Sequence, residues 1–200
     1  MRKEIYLMFF FLGALIINLN AQEVKVQAAW GSAVPIGNMT DNYRKISGRG
    51  FQLDVDQRVN EHFTYGGNVS WQAFFEKDFQ MYAQDQTLIT GWQRNYLNAL
   101  LLMASGKYYF ATSVTKIKAY LGLDIGATAI EDYQIFGIYE NRELNWHFAV
   151  SPSLGVDIPA GEHFGVNFFI KIPNSFKNNT DIHYTWINTG LGLYVKIPDN

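Results

Sequence analysis

The 200-residue chain contains no cysteine, which excludes both a disulfide framework and a lipid anchored through an N-terminal cysteine. Charge is scarce as well. Only 17% of residues are Asp, Glu, Lys or Arg, against about 25% in an average soluble domain, and a two-sheet protein wetted on both faces needs more. The formal net charge of −2 leaves no basic footprint for nucleic acid. After residue 21 no stretch offers the 18 or more consecutive apolar residues of a membrane helix. No His-x-x-His or acidic ligand spacing is present, so neither metal nor cofactor is expected. The glycine pairs Gly66-Gly67 and Gly190-Leu-Gly192 are followed by no helical pattern, which removes a phosphate-binding loop.

What is present begins with an export signal. Arg2 and Lys3 form a basic start, Ile5 to Ile17 an apolar core, and Asn18 to Ala21 a short polar stretch ending in a small residue. The core is too short to span a bilayer as a helix, so residues 1–21 read as a signal peptide cleaved after Ala21. Removing them takes away two basic residues and one acidic residue. The mature chain, 22–200, then carries 14 Lys+Arg against 17 Asp+Glu and has the length of one domain.

The mature chain alternates apolar and polar residues in stretches of about ten, the period-two mark of a strand whose two sides meet unlike surroundings. Eight such strands are predicted, at 24–34, 50–59, 63–75, 97–110, 117–126, 144–157, 164–172 and 187–197. The sixth is the cleanest: Leu144, Trp146, Phe148, Val150, Leu154 and Val156 share one face, and Asn145, His147, Ser151, Ser153, Gly155 and Asp157 the other. The fourth opens on a continuous apolar run. Placing Leu100, Leu102, Tyr108 and Phe110 outward and Lys107 inward leaves Leu101 and Met103 facing the lumen, with room for a bulge.

The connections sort by length. Links 36–49, 76–93, 131–143 and 173–181 are long, and links 60–62, 111–116 and 158–163 are short. In an antiparallel meander the long ones then share one mouth and the short ones the other, the pattern of an outer-membrane barrel. Aromatics collect at two depths, with Phe63, Tyr108, Phe110 and Phe164 near the short turns and Trp71, Phe75, Trp92, Trp146 and Trp186 near the long loops. Such belts suit the two membrane–water interfaces. The expectation is an all-β, closed, eight-stranded antiparallel up-and-down barrel crossing the cell outer membrane, closed so that no strand edge is left unpaired in lipid. A soluble lipocalin-like barrel with its apolar face inward shares the alternation, and loop asymmetry, belts and low charge favour the membrane form.

Four segments carry a family resemblance: Gly31-Ser-Ala-Val-Pro35-Ile-Gly37, Gly106-Lys-Tyr108-Tyr109-Phe110, Tyr120-Leu-Gly122-Leu-Asp124-Ile-Gly126 and Ser151-Pro-Ser-Leu-Gly155-Val-Asp157. With them the chain resembles the small outer-membrane β-barrel domain proteins of the opacity and OmpW-like porin group, of Bacteroidota type. The resemblance implies contact with outer-membrane lipid and lipopolysaccharide, and folding by the barrel assembly machinery. Members usually finish on an aromatic residue, whereas this chain ends Lys196-Ile-Pro198-Asp-Asn200 and has Tyr194 as its nearest aromatic.

Chemistry-bearing residues are few. Lys25, Asp54, Asp56, Arg58, Lys107, Lys118, Asp124, Asp157, Lys171 and Lys196 all have inward parity. They read as a polar conduit or, more simply, as an ion-pair network filling a lumen only wide enough for side chains or one small ligand. Lys118, Asp54, Arg58, Asp124 and Asp157 are expected to pair among themselves. Lumenal glycines make room for Tyr120, Phe169 and Tyr194. His62 and His163 fall at short turns. His147 or His183 near the outer mouth is where a lipid-A-modifying hydrolase would carry its base, but Ser151 lies four strand residues from His147, too far for a direct hydrogen bond. No catalytic residue is assigned. The expected function is a non-enzymatic, monomeric scaffold or a narrow porin-like channel. A lipid A hydrolase and a carrier of small hydrophobic molecules are the alternatives. Phe79, Met81, Tyr82, Leu88 and Ile89 make the 76–93 link apolar enough for a protein or small-ligand contact.

Overall fold

The computed structural model describes residues 23–84, 87–110, 117–137, 139–176 and 183–198. The expected signal segment and the short link 111–116 lie outside them. The strands are β1 (Glu23–Ile36), β2 (Ser47–Arg58), β3 (Phe63–Gln84), β4 (Thr87–Tyr109), β5 (Lys118–Phe136), β6 (Tyr139–Pro159), β7 (Phe164–Lys171), β8 (Asn174–Ser175) and β9 (Tyr184–Pro198). Each pairs antiparallel with its neighbour. Pro173 has no N–H to give the ladder and separates β7 from β8, both of which lie between β6 and β9. Nine segments therefore fill eight places in the ring. It closes where β1 pairs with β9, from Glu23↔Pro198 to Ile36↔Thr185.

The alternation decides which side is wet. Leu123, Phe148 and Leu193 are 47%, 58% and 66% exposed on the outer wall, while their opposite-parity neighbours Asp124, His147 and Tyr194 are buried inside. An apolar exterior around a polar interior is the arrangement that a bilayer stabilises and water penalises. The soluble lipocalin-like alternative requires the reverse and is set aside.

Strand parity follows the sequence closely, and strand length does not. In β4, Leu100 and Tyr108 are exposed and Leu101, Met103 and Lys107 buried, as the register requires. No bulge occurs there, because the β3–β4 ladder runs unbroken from Phe63↔Tyr108 to Gln84↔Thr87. The irregularity falls instead between Gly31 and Ala33 on β1. At that point Gly50 lies so close to β1 that an added Cβ would stand 2.7 Å from the Gly31 carbonyl oxygen.

Links 76–93 and 131–143, expected as loops, are mostly strand. Past the bilayer both faces of a strand meet water, so the alternation fades although the hydrogen-bond ladder continues. β2 leaves β3 at Gly50↔Gln72, whereas β4–β5 pairing reaches Gln93↔Phe136 and β5–β6 pairing reaches Phe136↔Tyr139. Four strands, β3 to β6, thus rise beyond the ring as a fin.

Candidate functional site: the filled lumen and its two mouths

Seven buried charges from six strands form one alternating chain across the short-turn half of the lumen. Asp157 meets Lys25 at 2.7 Å, and Lys25 lies 3.9 Å from Asp56. Asp56 meets Lys107 at 2.6 Å, and Lys107 lies 3.6 Å from Asp54. Asp54 stands 3.6 Å from Lys171, which meets Asp124 at 2.8 Å. Neutral donors occupy other carboxylate lone pairs. Tyr109 and Asn167 donate to Asp157 at 2.9 and 2.6 Å, and Gln52 and Asn68 donate to Asp54 at 2.6 and 2.9 Å. Buried charges survive only when paired and hydrogen-bonded in this way.

The expected pairing is corrected in two members. Arg58 and Lys118 are not part of the chain. Both line the rim of the short-turn mouth with Lys196 and Glu23: Arg58 pairs with Glu23 instead, and Asp157, opposite Lys118 in the β5–β6 ladder, is taken by Lys25. Lys25, Lys107 and Lys171 supply the buried cations instead. Glu23 escaped notice in the sequence because it precedes the first clear alternation.

The glycine positions behave as read. A Cβ on Gly155 would strike the Tyr120 ring, one on Gly165 the Tyr194 ring, and one on Gly190 the Phe169 ring. Tyr194 is therefore an inward-facing, buried residue and presents no aromatic surface to lipid.

The long-hairpin half of the lumen is packed by an apolar cluster, with Thr128, His147 and Ser175 buried beside it. Ala33, Phe74, Leu97, Ile130, Tyr184 and Trp186 pack into one buried cluster. Trp186, expected in the outer aromatic belt, is fully buried and packs edge-on against Phe74 with ring centroids 5.8 Å apart. Trp71, Trp92 and Trp146 do stand exposed. The segment after β1 folds into this mouth as a short 3-10 helix (Gly37–Asp41), burying Met39 and Tyr43 in the same cluster.

Two carboxylates above the belt hold that segment. Tyr43 donates its hydroxyl hydrogen to Asp132 Oδ1 at 2.9 Å. Burial, together with the Asp132 charge, pushes the Tyr43 hydroxyl well above its ordinary range, and burial also raises Asp132 itself. A raised carboxyl pKa means that its contribution to stability is full below the unfolded value of about 3.9 and is lost as pH rises through the folded value. Glu76 behaves oppositely. Burial works against its ionisation, but hydrogen bonds from the Lys45 side chain at 2.5 Å and from the Arg44 and Lys45 amides outweigh it and lower its pKa. Its contribution is present above about pH 4.3 and is lost as pH falls.

Tyr43→Phe should therefore loosen the mouth segment, since a hydrogen bond to a charged group contributes about 1.5–3 kcal/mol. Trypsin cleavage at Arg44 or Lys45 near neutral pH should speed up by on the order of tenfold. An unchanged cleavage rate would remove the latch.

The imidazoles are not joined to a nucleophile. His147 Nδ1–H donates to the Phe176 carbonyl at 3.0 Å, and its ring packs edge-on to Tyr184. Among the described residues the Nε2 atoms of His147 and His183 and the Ser151 hydroxyl have no hydrogen-bond partner. No group of three metal-ligating side chains occurs among them either. An apolar hollow of about 590 Å³ among the described residues lies on the outer wall between Trp30, Leu154, Phe168 and Leu191 rather than in the lumen. A carrier's interior cavity does not correspond to it. In the 76–93 link, Phe79 packs on Trp92 at 5.4 Å, and the side chains of Met81, Tyr82, Leu88 and Ile89 lie outside the described residues.

No family model matches the chain, and no curated protein matches its sequence. Solved structures do match its fold. The outer-membrane protein OprG of Pseudomonas aeruginosa is 10% identical, with 90% of this chain and 97% of that chain covered and a TM-score of 0.56. Ail, the attachment invasion locus protein of Yersinia pestis, is 12% identical over 88% and 99% at a TM-score of 0.52. The N-terminal β-barrel domain of Pseudomonas aeruginosa OprF is 11% identical over 88% and 98% at 0.51. The chain has the fold of the small outer-membrane β-barrels.

Proposed function

We propose that the protein is a closed outer-membrane barrel, exported by a signal peptide cleaved after Ala21, that works as a monomeric, non-enzymatic scaffold for its outer surface. The carrying observation is that the lumen is filled at two successive levels. The seven-charge chain packs the short-turn half, and the aromatic cluster with Met39 and Tyr43 packs the other. In an eight-stranded barrel such a lumen leaves no aqueous path, so the narrow-channel reading has less support than the scaffold. The β3–β6 fin is the element such a scaffold would display. Contacts between its 76–93 hairpin and a protein or small ligand belong to this reading, as do lipopolysaccharide around the outer aromatic belt and folding by the barrel assembly machinery. The Bacteroidota affinity rests on the four sequence segments alone.

Conductance in a planar bilayer tests the central point. The refolded protein is expected to give no unitary steps at ±100 mV in molar salt, a regime in which an aqueous channel would conduct. Regular steps of constant size would replace the scaffold with the channel.

A further inference from the structure

We infer that the short-turn mouth carries a small-anion subsite, suited to a phosphate or carboxylate group. Three cations stand there, two of them paired with one carboxylate. Arg58 Nη2 and Lys196 Nζ share the same oxygen, Glu23 Oε1, at 3.4 and 3.1 Å. Lys118 lines the same hollow and has no carboxylate within 4 Å among the described residues. The other acids lining the hollow, Asp157 and Asp56, sit below the rim and are ion-paired there, with Asp56 Oδ1 left as an acceptor without a partner. Asp157 is held by Lys25, Tyr109 and Asn167, and Asp56, one inward position deeper than Arg58, is held through Oδ2 by Lys107.

The floor supplies an independent sign. Thr64 Oγ1 and Tyr194 OH both line this hollow, and both are buried hydroxyls without a hydrogen-bond partner. A buried hydroxyl in a folded protein usually has a partner, and a bound water or ion is one that can serve. Two O–H donors beneath three cationic N–H donors outnumber the one acceptor without a partner, Asp56 Oδ1, and suit an oxyanion, which accepts charge-assisted hydrogen bonds. The hollow is about 10 Å³, room for a single water-sized group. It therefore takes the tip of a phosphate or carboxylate entering from the mouth rather than a whole enclosed molecule. Inorganic phosphate and a lipid headgroup phosphate present the same chemistry.

Phosphate titration of the refolded full chain at constant ionic strength, with chloride as the balancing anion, tests the subsite by calorimetry and by the urea midpoint. Phosphate should bind saturably and raise the midpoint. Lys118→Gln should weaken phosphate at least tenfold, and Tyr194→Phe, which leaves every charge in place, should weaken it several-fold. Lys118 is at the rim and outside the buried charge chain, so the first variant keeps the folded barrel. Repeating the titration in nanodiscs separates the sources. Equal affinity in zwitterionic and in phosphatidylglycerol-containing discs assigns the subsite to the free anion, and competition by phosphatidylglycerol assigns it to the headgroup. No phosphate effect beyond that of chloride in detergent and in zwitterionic discs, or Lys118→Gln binding as tightly as the parent, would overturn the inference.

Discussion

Replacing Lys107 with methionine should destabilise the folded barrel by about 3–5 kcal/mol, the cost of removing one partner from a buried ion pair. Lys107 is fully buried and joins the two carboxylates at the centre of the chain, Asp56 at 2.6 Å and Asp54 at 3.6 Å. Methionine fills a similar volume, so the loss comes from the charge rather than from a cavity. Asp54 keeps Lys171, Gln52 and Asn68. Asp56 keeps only Lys25 at 3.9 Å, and its Oδ1 already has no partner, so Asp56 becomes the uncompensated group. Adding Asp56→Leu to Lys107→Met should recover much of the loss, because replacing both members of a buried pair by apolar groups is often close to neutral. Asp124→Leu should lower stability less, since its partner Lys171 retains Asp54 at 3.6 Å. Urea unfolding in lipid vesicles, followed by tryptophan fluorescence, measures all four proteins. A Lys107→Met midpoint equal to that of the parent would show that the chain of charges does not hold the lumen together.

Leu123→Arg should cost about 2–4 kcal/mol for folding into a bilayer, the depth-dependent penalty of a cation on the lipid face. Leu123 stands outward on β5, opposite Gly106 of β4 and Pro152 of β6. That lies within the apolar outer band, two ladder positions from Tyr108 near the short turns and six from Trp146 near the fin. Arginine at Glu61, in an exposed turn, should stay within about 0.5 kcal/mol of neutral. Urea titration of folding into vesicles separates the two sites. Equal tolerance at both would mean that the outer wall meets water, and the membrane reading would fall with it.

Strand number and face were legible because a period of two is a local property. Each residue of 144–157 shows its side by comparison with its immediate neighbours, and the same reading placed Lys107 inward in a segment that is otherwise almost wholly apolar. The lumenal glycines were legible for a related reason: a large inward side chain in a narrow barrel needs an absent one on the adjacent strand. Trp186 departs from the expected belt because nearness to the long loops along the chain does not fix which face of the strand a residue occupies. Its parity, opposite to that of Ile187 and Leu191, was the signal that could have corrected this. The fin was missed for want of contrast, since a ladder wet on both faces leaves no alternation to read.

By itself the sequence determined that there are eight strands and which face of each is apolar. Both follow from spacing along the chain. Only the tertiary structure decided that Lys25 meets Asp157 from 132 positions away, that Lys107 rather than Arg58 serves Asp54 and Asp56, and that Met39 and Tyr43 close the upper lumen. These contacts depend on the stagger with which β1 meets β9 when the sheet closes. Stagger sets the height of every inward side chain relative to those across the barrel, and it is a property of the closed ring that no single strand carries.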